Sequence, residues 1–143
     1  MIEITQKSAT PAPAFTRRLA SMIYELLLLV ALLFVAAFVY LLFRNPRAPG
    51  GEIFFQIYLL LVMAGYFLWF WTHGGQTLAM KTWRLRLVTA DGSGLSYERA
   101  LIRFFWALLG LSCFGAGIWW AWVDRDGLFL HDRLAGTRLI KTD

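Results

Sequence analysis

The chain has 143 residues, of which 59% are hydrophobic, 17% are aromatic and only 16% are charged, with a formal net charge of +5. Soluble domains usually carry about 25% charged residues, so this composition argues against a water-soluble enzyme and favours an integral membrane protein. One cysteine and two histidines are too few for a disulfide framework or a zinc site, and we expect no metal and no cofactor. The basic residues flank long apolar runs instead of alternating with aromatic residues, which argues against nucleic-acid binding.

Three apolar runs are long enough to cross a bilayer. They predict helices over about 19–43, 53–72 and 101–123, since a helix that rises 1.5 Å per residue spans a hydrocarbon core of roughly 30 Å in about 20 residues. The short stretch 44–52 is rich in turn-forming residues, so the first two helices should form an antiparallel hairpin. We predict an all-α membrane protein of one domain, residues 1–143, with about three transmembrane helices.

The third run leaves two topologies open. Its small residues between 110 and 117 favour close packing with another helix, and a break near Gly115 is the alternative. With three crossings, eight Lys and Arg lie on the N-terminal side and six on the other side. With a re-entrant third run the count is twelve against two. We take three crossings as the expectation, with a cytoplasmic N-terminus and multi-pass insertion in the membrane.

The polar connection 73–99 has strand character. Trp83, Leu85 and Leu87 alternate with arginines, and the sequence DGSG at 91–94 supplies turn residues for a small hairpin. Ser96 is a candidate N-cap for the helix that leads into the third run. The connection should therefore be partly β-like and lie near the lipid headgroups, followed after the third run by a polar tail over 124–143.

Four short segments together resemble the RDD family of bacterial membrane proteins, which is named for one arginine and two aspartates. The segments are FTRRLASMIYE, GGQTLAMKTWRLRLVTADG, ALIR and LHDRLAGTRLI, in that order along the whole chain. The resemblance places the family charges at Arg18 (or the adjacent Arg17), Glu25 and Asp132. Glu25 is a glutamate at an aspartate position, and Ala79 stands where the family usually has glycine. The resemblance implies localisation in the bacterial inner membrane. It implies no settled activity, although cation/proton exchange has been suggested for some members.

Glu25 is a carboxylate inside an otherwise uncharged membrane run. It lies seven residues and about 10 Å along the helix from Arg18, on the same face, so a contact needs the two long side chains to bend toward each other or a bridging group. A carboxylate at this depth is usually paired, solvated or protonated, and Arg103, Arg133 and Lys81 are candidate partners. Glu25 is therefore either a structural charge that joins the first and third helices or a proton or cation site.

The tail carries a second charged cluster, with Asp124, Arg125 and Asp126 followed by HDR at 131–133. His131 is a candidate for titration near neutral pH with Asp132. No nucleophile accompanies them, so we expect a folded cap in which Asp132 accepts from backbone amides or an arginine and Gly136 and Thr137 form a tight turn.

These features predict a small, non-enzymatic membrane protein that packs with or assists other membrane components. Its expected partners are the lipid bilayer and either a second copy or another membrane protein. The alternative function is transport, by cation/proton exchange through Glu25 in a homo-oligomer.

Overall fold

The computed structural model describes residues 13–124 and 127–142. The elements in chain order are α1 (Phe15–Phe43), α2 (Gly51–Thr72), α3 (Leu78–Thr82), β1 (Leu85–Thr89), α4 (Tyr97–Ser112), α5 (Ala116–Trp119), a 3₁₀ turn (Trp120–Trp122), α6 (Leu130–Ala135) and β2 (Thr137–Lys141). The predicted fold class is confirmed in its main part, because the described chain is mostly helical.

Helices α1 and α2 form the predicted hairpin and are both long and apolar enough to cross a membrane. The first begins at Phe15, one turn earlier than predicted, and ends before Arg44, where the backbone becomes extended. Gly50, with a φ of +74°, turns the chain into α2. Side chains on the outer faces of both helices are exposed and apolar, as a lipid-facing surface requires.

The third apolar run is bent. Helix α4 ends at Ser112, and the axis turns by 104° before α5 and the 3₁₀ turn continue. The bend is made by Phe114 and Gly115, whose φ values of +60° and +73° are left-handed. Glycine adopts this conformation without steric cost. Gly110 and Gly117 pack against each other across it, since a Cβ atom built on Gly110 would lie 3.3 Å from the Cα of Gly117. The small residues thus bring the two arms of this run together.

A two-stranded antiparallel sheet makes the fold more than purely helical. Strand β1 is the predicted strand, with Leu85 and Leu87 buried and Arg86 exposed between them. The predicted local hairpin is wrong, because β1 pairs with β2 of the tail, from Leu85 opposite Lys141 to Thr89 opposite Thr137. The chain does turn here, since the Gly92 amide donates to the Thr89 carbonyl oxygen at 2.9 Å, but the helix that begins at 97 leaves no room for a local partner strand.

The turn after β1 is closed by hydrogen bonds to a carboxylate. Thr89 and Ser93 donate hydrogen bonds to Asp91, and they lower the pKa of this carboxyl to about 2. Ser96 then accepts a hydrogen bond from the amide of Arg99, 3.3 Å away, and is the N-cap of α4 as predicted.

The hydrophobic core lies at one end of the α1–α2 hairpin. It joins the last turns of α2 to the sheet and to the first turns of α4, and its buried members are Trp71, Met80, Leu85, Leu87, Leu95, Ala100, Phe104 and Leu139. The connection, the start of α4 and the tail therefore form one packed unit around the end of the hairpin.

Candidate functional site: a buried charge network

Helix α1 buries a polar stripe and exposes its apolar surface, the reverse of a helix in a soluble protein. Arg18, Ser21 and Glu25 are spaced by three and four residues, lie on one face and are all buried. The predicted common face of Arg18 and Glu25 is therefore confirmed. This stripe meets the packed unit at the end of the hairpin, and the two charges find different partners there.

Glu25 is held by two hydroxyl groups. The Tyr66 hydroxyl, from α2, donates to Oε1 at 2.7 Å, and the Thr77 hydroxyl donates to Oε2. Thr77 is fully buried, and it is also the N-cap of α3, where its Oγ1 accepts from the Met80 amide at 3.3 Å. Among the described residues no cationic group lies within ion-pair distance of Glu25.

The arginines and lysine expected at Glu25 lie elsewhere. Arg103 pairs with Asp132, and Lys81 is exposed on α3. Arg133 donates from Nε and Nη2 to the two carboxylate oxygens of Asp124, at 2.9 and 2.8 Å. The expectation failed because Glu25 lies beside the α2–α3 junction, and sequence spacing does not reveal this contact between distant segments.

Arg103 and Asp132 form a buried ion pair between α4 and α6. Arg103 Nη1 also lies 3.2 Å from the Thr137 hydroxyl, and its guanidinium packs 4.9 Å from the centroid of the Trp71 ring. Helix α6 ends at Gly136 in a left-handed conformation (φ +66°), which leads directly into Thr137. The predicted cap, with Asp132 accepting from an arginine and a tight turn at Gly136, is thus confirmed.

Arg18 contacts the segment before α6. Its Nη1 donates to the carbonyl oxygen of Gly127 at 2.5 Å, and its guanidinium lies 4.6 Å above the Phe129 ring. The neighbouring Arg17 donates to the carbonyl oxygen of Trp83 at 3.0 Å. The two arginines at the start of α1 therefore bind two different segments, the tail and the polar connection.

His131 is buried among positive charges. Burial lowers its pKa well below the usual value, and the nearby guanidinium groups of Arg103 and Arg18 lower it further. The expectation that His131 titrates near neutral pH is therefore wrong, and the imidazole is neutral at pH 7. Arg125 and Asp126 of the same predicted cluster lie outside the described residues.

Three further participants were missed from sequence. Tyr66 and Trp71 are on α2, where both read as ordinary aromatic residues of a membrane helix, and Thr77 reads as part of a glycine-rich turn. A usable signal existed only for Thr77, since a threonine just before a short helical stretch is a typical N-cap. Residues 13–124 and 127–142 contain no group of three or more His, Cys, Asp or Glu placed to hold a metal ion.

The chain matches the sequence model of the RDD family over residues 12–136. It belongs to the RDD family. The three charged residues that the sequence resemblance singles out, Arg18, Glu25 and Asp132, are all buried.

One relative of this RDD protein is the uncharacterized protein RP437 of Rickettsia prowazekii (strain Madrid E), which is 34% identical over 83 residues. The match covers 58% of the present chain and 46% of the relative, so the chain spans less than half of that protein's length. No solved structure matches the chain.

Proposed function

We propose that this RDD-family protein is a non-enzymatic integral membrane protein of the bacterial inner membrane that packs with other membrane components. The observation that carries the proposal is that the family charges bind groups of their own chain. Asp132 pairs with Arg103, Arg18 binds Gly127 and Phe129, and Glu25 accepts from two hydroxyl groups. These contacts join α1, α2, α4 and α6 and leave the outer faces of the hairpin for contact with lipid or protein.

The outer face of α1 offers a regular packing surface. Leu27, Phe34 and Leu41 follow each other at intervals of seven residues and are all more than half exposed, which is the spacing that keeps side chains on one stripe of a helix. A second stripe on α2 includes Phe54 and Leu61, which are exposed to a similar degree. We expect one of these stripes to contact protein and the other to face lipid.

Photo-crosslinking in native membranes tests this proposal. A photoreactive residue replaces Phe34 or Phe54, one on each stripe. A defined adduct with a second copy or with one membrane protein, formed from one of the two positions, is the expected result. Lipid adducts alone from both positions would contradict packing through these helices.

For the topology we propose two crossings, α1 and α2, with the bent third run returning to the side from which it enters. The support is that β1 precedes this run, β2 follows it, and the two strands pair along their whole length. Arg17 and Arg18 connect the start of α1 to segments on the same side. This arrangement gives the charge count of twelve against two, with the N-terminus in the cytoplasm.

Cation/proton exchange is the second candidate function. The specific observation in its favour is the environment of Glu25, a buried carboxylate surrounded by oxygen donors and lacking an ion-pair partner among the described residues. Carboxylate and hydroxyl oxygens are ligands for hard cations, and a carboxylate can release a proton in exchange.

Flux assays in reconstituted vesicles test this second function. Proton movement driven by Na⁺ or K⁺ should disappear in Glu25→Gln, survive in part in Glu25→Asp, and be unchanged in Glu52→Gln, an exposed carboxylate on α2. Wild-type flux no greater than that of empty vesicles would remove this function.

A further inference from the structure

A cleft opens between α1 and α2 at the end of the hairpin opposite the buried groups of Arg18 and Glu25. It has a volume of about 430 Å³ and lies where the 44–50 loop joins the two helices. Aromatic side chains form one wall, where the Tyr40 ring lies 5.0 Å from that of Tyr58. Arg44 and Asn45 form the polar end. The cleft is therefore amphipathic, with an apolar side along the helices and a charged side at their ends.

Arg44 is the charged group of this cleft and has no counter-ion in the described part of the chain. Its side chain lies on Gly51, so closely that a Cβ atom there would be 2.7 Å from Nη2 and 3.0 Å from Nε. The Nε atom is buried and has no hydrogen-bond partner among residues 13–124 and 127–142. Glu52 is exposed nearby and forms no ion pair with Arg44. Because Gly51 covers the Nε atom, an anion in the cleft would contact the Nη1 and Nη2 groups, and it would give this half-buried charge a counter-ion.

We propose that this cleft binds the phosphate group of an anionic phospholipid. A guanidinium presents paired N–H donors that match phosphate oxygens. The start of α2 also borders the cleft through Gly51, and its first amides receive no side-chain cap from Gly50. The aromatic wall suits the glycerol and upper acyl chains, because tyrosine side chains favour the level of the lipid headgroups. The proposal rests on the membrane placement of α1 and α2 in the proposed function.

Native mass spectrometry of the full-length protein in detergent tests the site. The protein is titrated with phosphatidylglycerol, with phosphatidylcholine and with inorganic phosphate. Phosphatidylglycerol should bind most tightly, and Arg44→Gln should weaken its binding about tenfold, the effect of losing one charge-assisted contact.

Two further variants make the result specific. Gly51→Ala keeps the charge of Arg44 but displaces its guanidinium, so it should also weaken phosphatidylglycerol binding. Arg47→Gln removes a charge from the exposed part of the same loop and should bind like the wild type. If Arg44→Gln is poorly folded, Gly51→Ala is compared with Arg44→Lys instead. Arg44→Lys keeps the positive charge and should bind phosphatidylglycerol more tightly than Gly51→Ala.

Equal binding by wild type, Arg44→Gln and Gly51→Ala would overturn the site. Equal affinity for phosphatidylcholine would overturn the preference for an anionic lipid, and equal affinity for inorganic phosphate would overturn the lipid as its source. Because binding is measured in detergent, it does not depend on the number of crossings or on protein partners. Its failure is thus distinguishable from failure of the proposed function.

Discussion

At the scale of single residues, the Arg103–Asp132 pair is the most buried charged contact between distant segments of the described chain. Removal of one member leaves the other charge without a partner away from water, whereas removal of both removes the charges together. The pair therefore acts as a unit.

Arg103→Gln and Asp132→Asn should each lower the free energy of unfolding by about 3 to 5 kcal/mol. The double variant Arg103→Leu/Asp132→Leu should lose clearly less than the sum of the two single changes, because no unpaired charge remains. Thermal unfolding in detergent measures these changes. Arg86→Gln, on the exposed face of β1, is the control and should stay within about 0.5 kcal/mol. Strict additivity would contradict the buried pair.

His131 predicts a pH dependence of stability. Its pKa in the fold is well below 6.5, while the unfolded chain titrates near 6.5. Protons therefore bind preferentially to the unfolded state, and the free energy of unfolding decreases as the pH falls below about 6.5.

The unfolding temperatures of wild type and His131→Asn at pH 7.5 and 5.5 check this dependence. The variant should lose less stability between the two pH values than the wild type does. An identical loss in both proteins would show that other groups cause it.

At the scale of elements, the link between α2 and α3 requires glycine at one position. Gly75 has a φ of +70°, its carbonyl oxygen accepts from the Leu87 amide at 2.7 Å, and a Cβ atom there would overlap the Leu87 carbonyl oxygen. The turn at Gly75 thus binds strand β1 directly, and it also brings Thr77 into contact with Glu25.

Gly75→Ala should destabilise the protein by more than the 1 to 2 kcal/mol that a left-handed conformation costs an ordinary residue, because steric overlap is added. Gly74→Ala is the matched control, since Gly74 also has a positive φ (+96°) but has open space around its Cα. Thermal unfolding of the two variants should separate the backbone effect from the overlap. Equal losses would show that the contact with Leu87 is unimportant.

At the scale of the whole molecule, the pairing of β1 with β2 supports the proposed topology of two crossings. A run that leaves one strand and returns to its partner has both ends on one side of a membrane. Two short strands on opposite sides of a bilayer cannot pair, because about 30 Å of hydrocarbon would separate them.

Cysteine labelling in intact cells checks this topology. In a Cys113→Ser background, single cysteines replace Ala48, Ser93 or Lys141, which are exposed. A membrane-impermeant maleimide should label position 48 in intact cells, but positions 93 and 141 only after permeabilisation. Labelling of 93 and 141 from opposite sides would support three crossings instead.

Local sequence patterns predicted the membrane character, the α1–α2 hairpin, the strand β1, the Ser96 cap and the common face of Arg18 and Glu25. These features depend on hydropathy and on periodicity within a few residues, which are readable from neighbouring positions. The cap at Asp132 was also predictable, because a buried carboxylate requires donors, although its particular arginine was not.

The contacts between groups far apart in sequence became known from the three-dimensional fold. It assigned Arg103 to Asp132, gave Glu25 the hydroxyl groups of Tyr66 and Thr77, and paired β1 with a strand more than 45 residues away. The fold also shows that the third run is bent near Gly115. From the sequence, the small residues there could have served either close helix packing or a break. A buried charged side chain can pair with any suitable partner that the fold brings near. The residue type therefore shows that a partner is needed, but it does not show which residue the partner is.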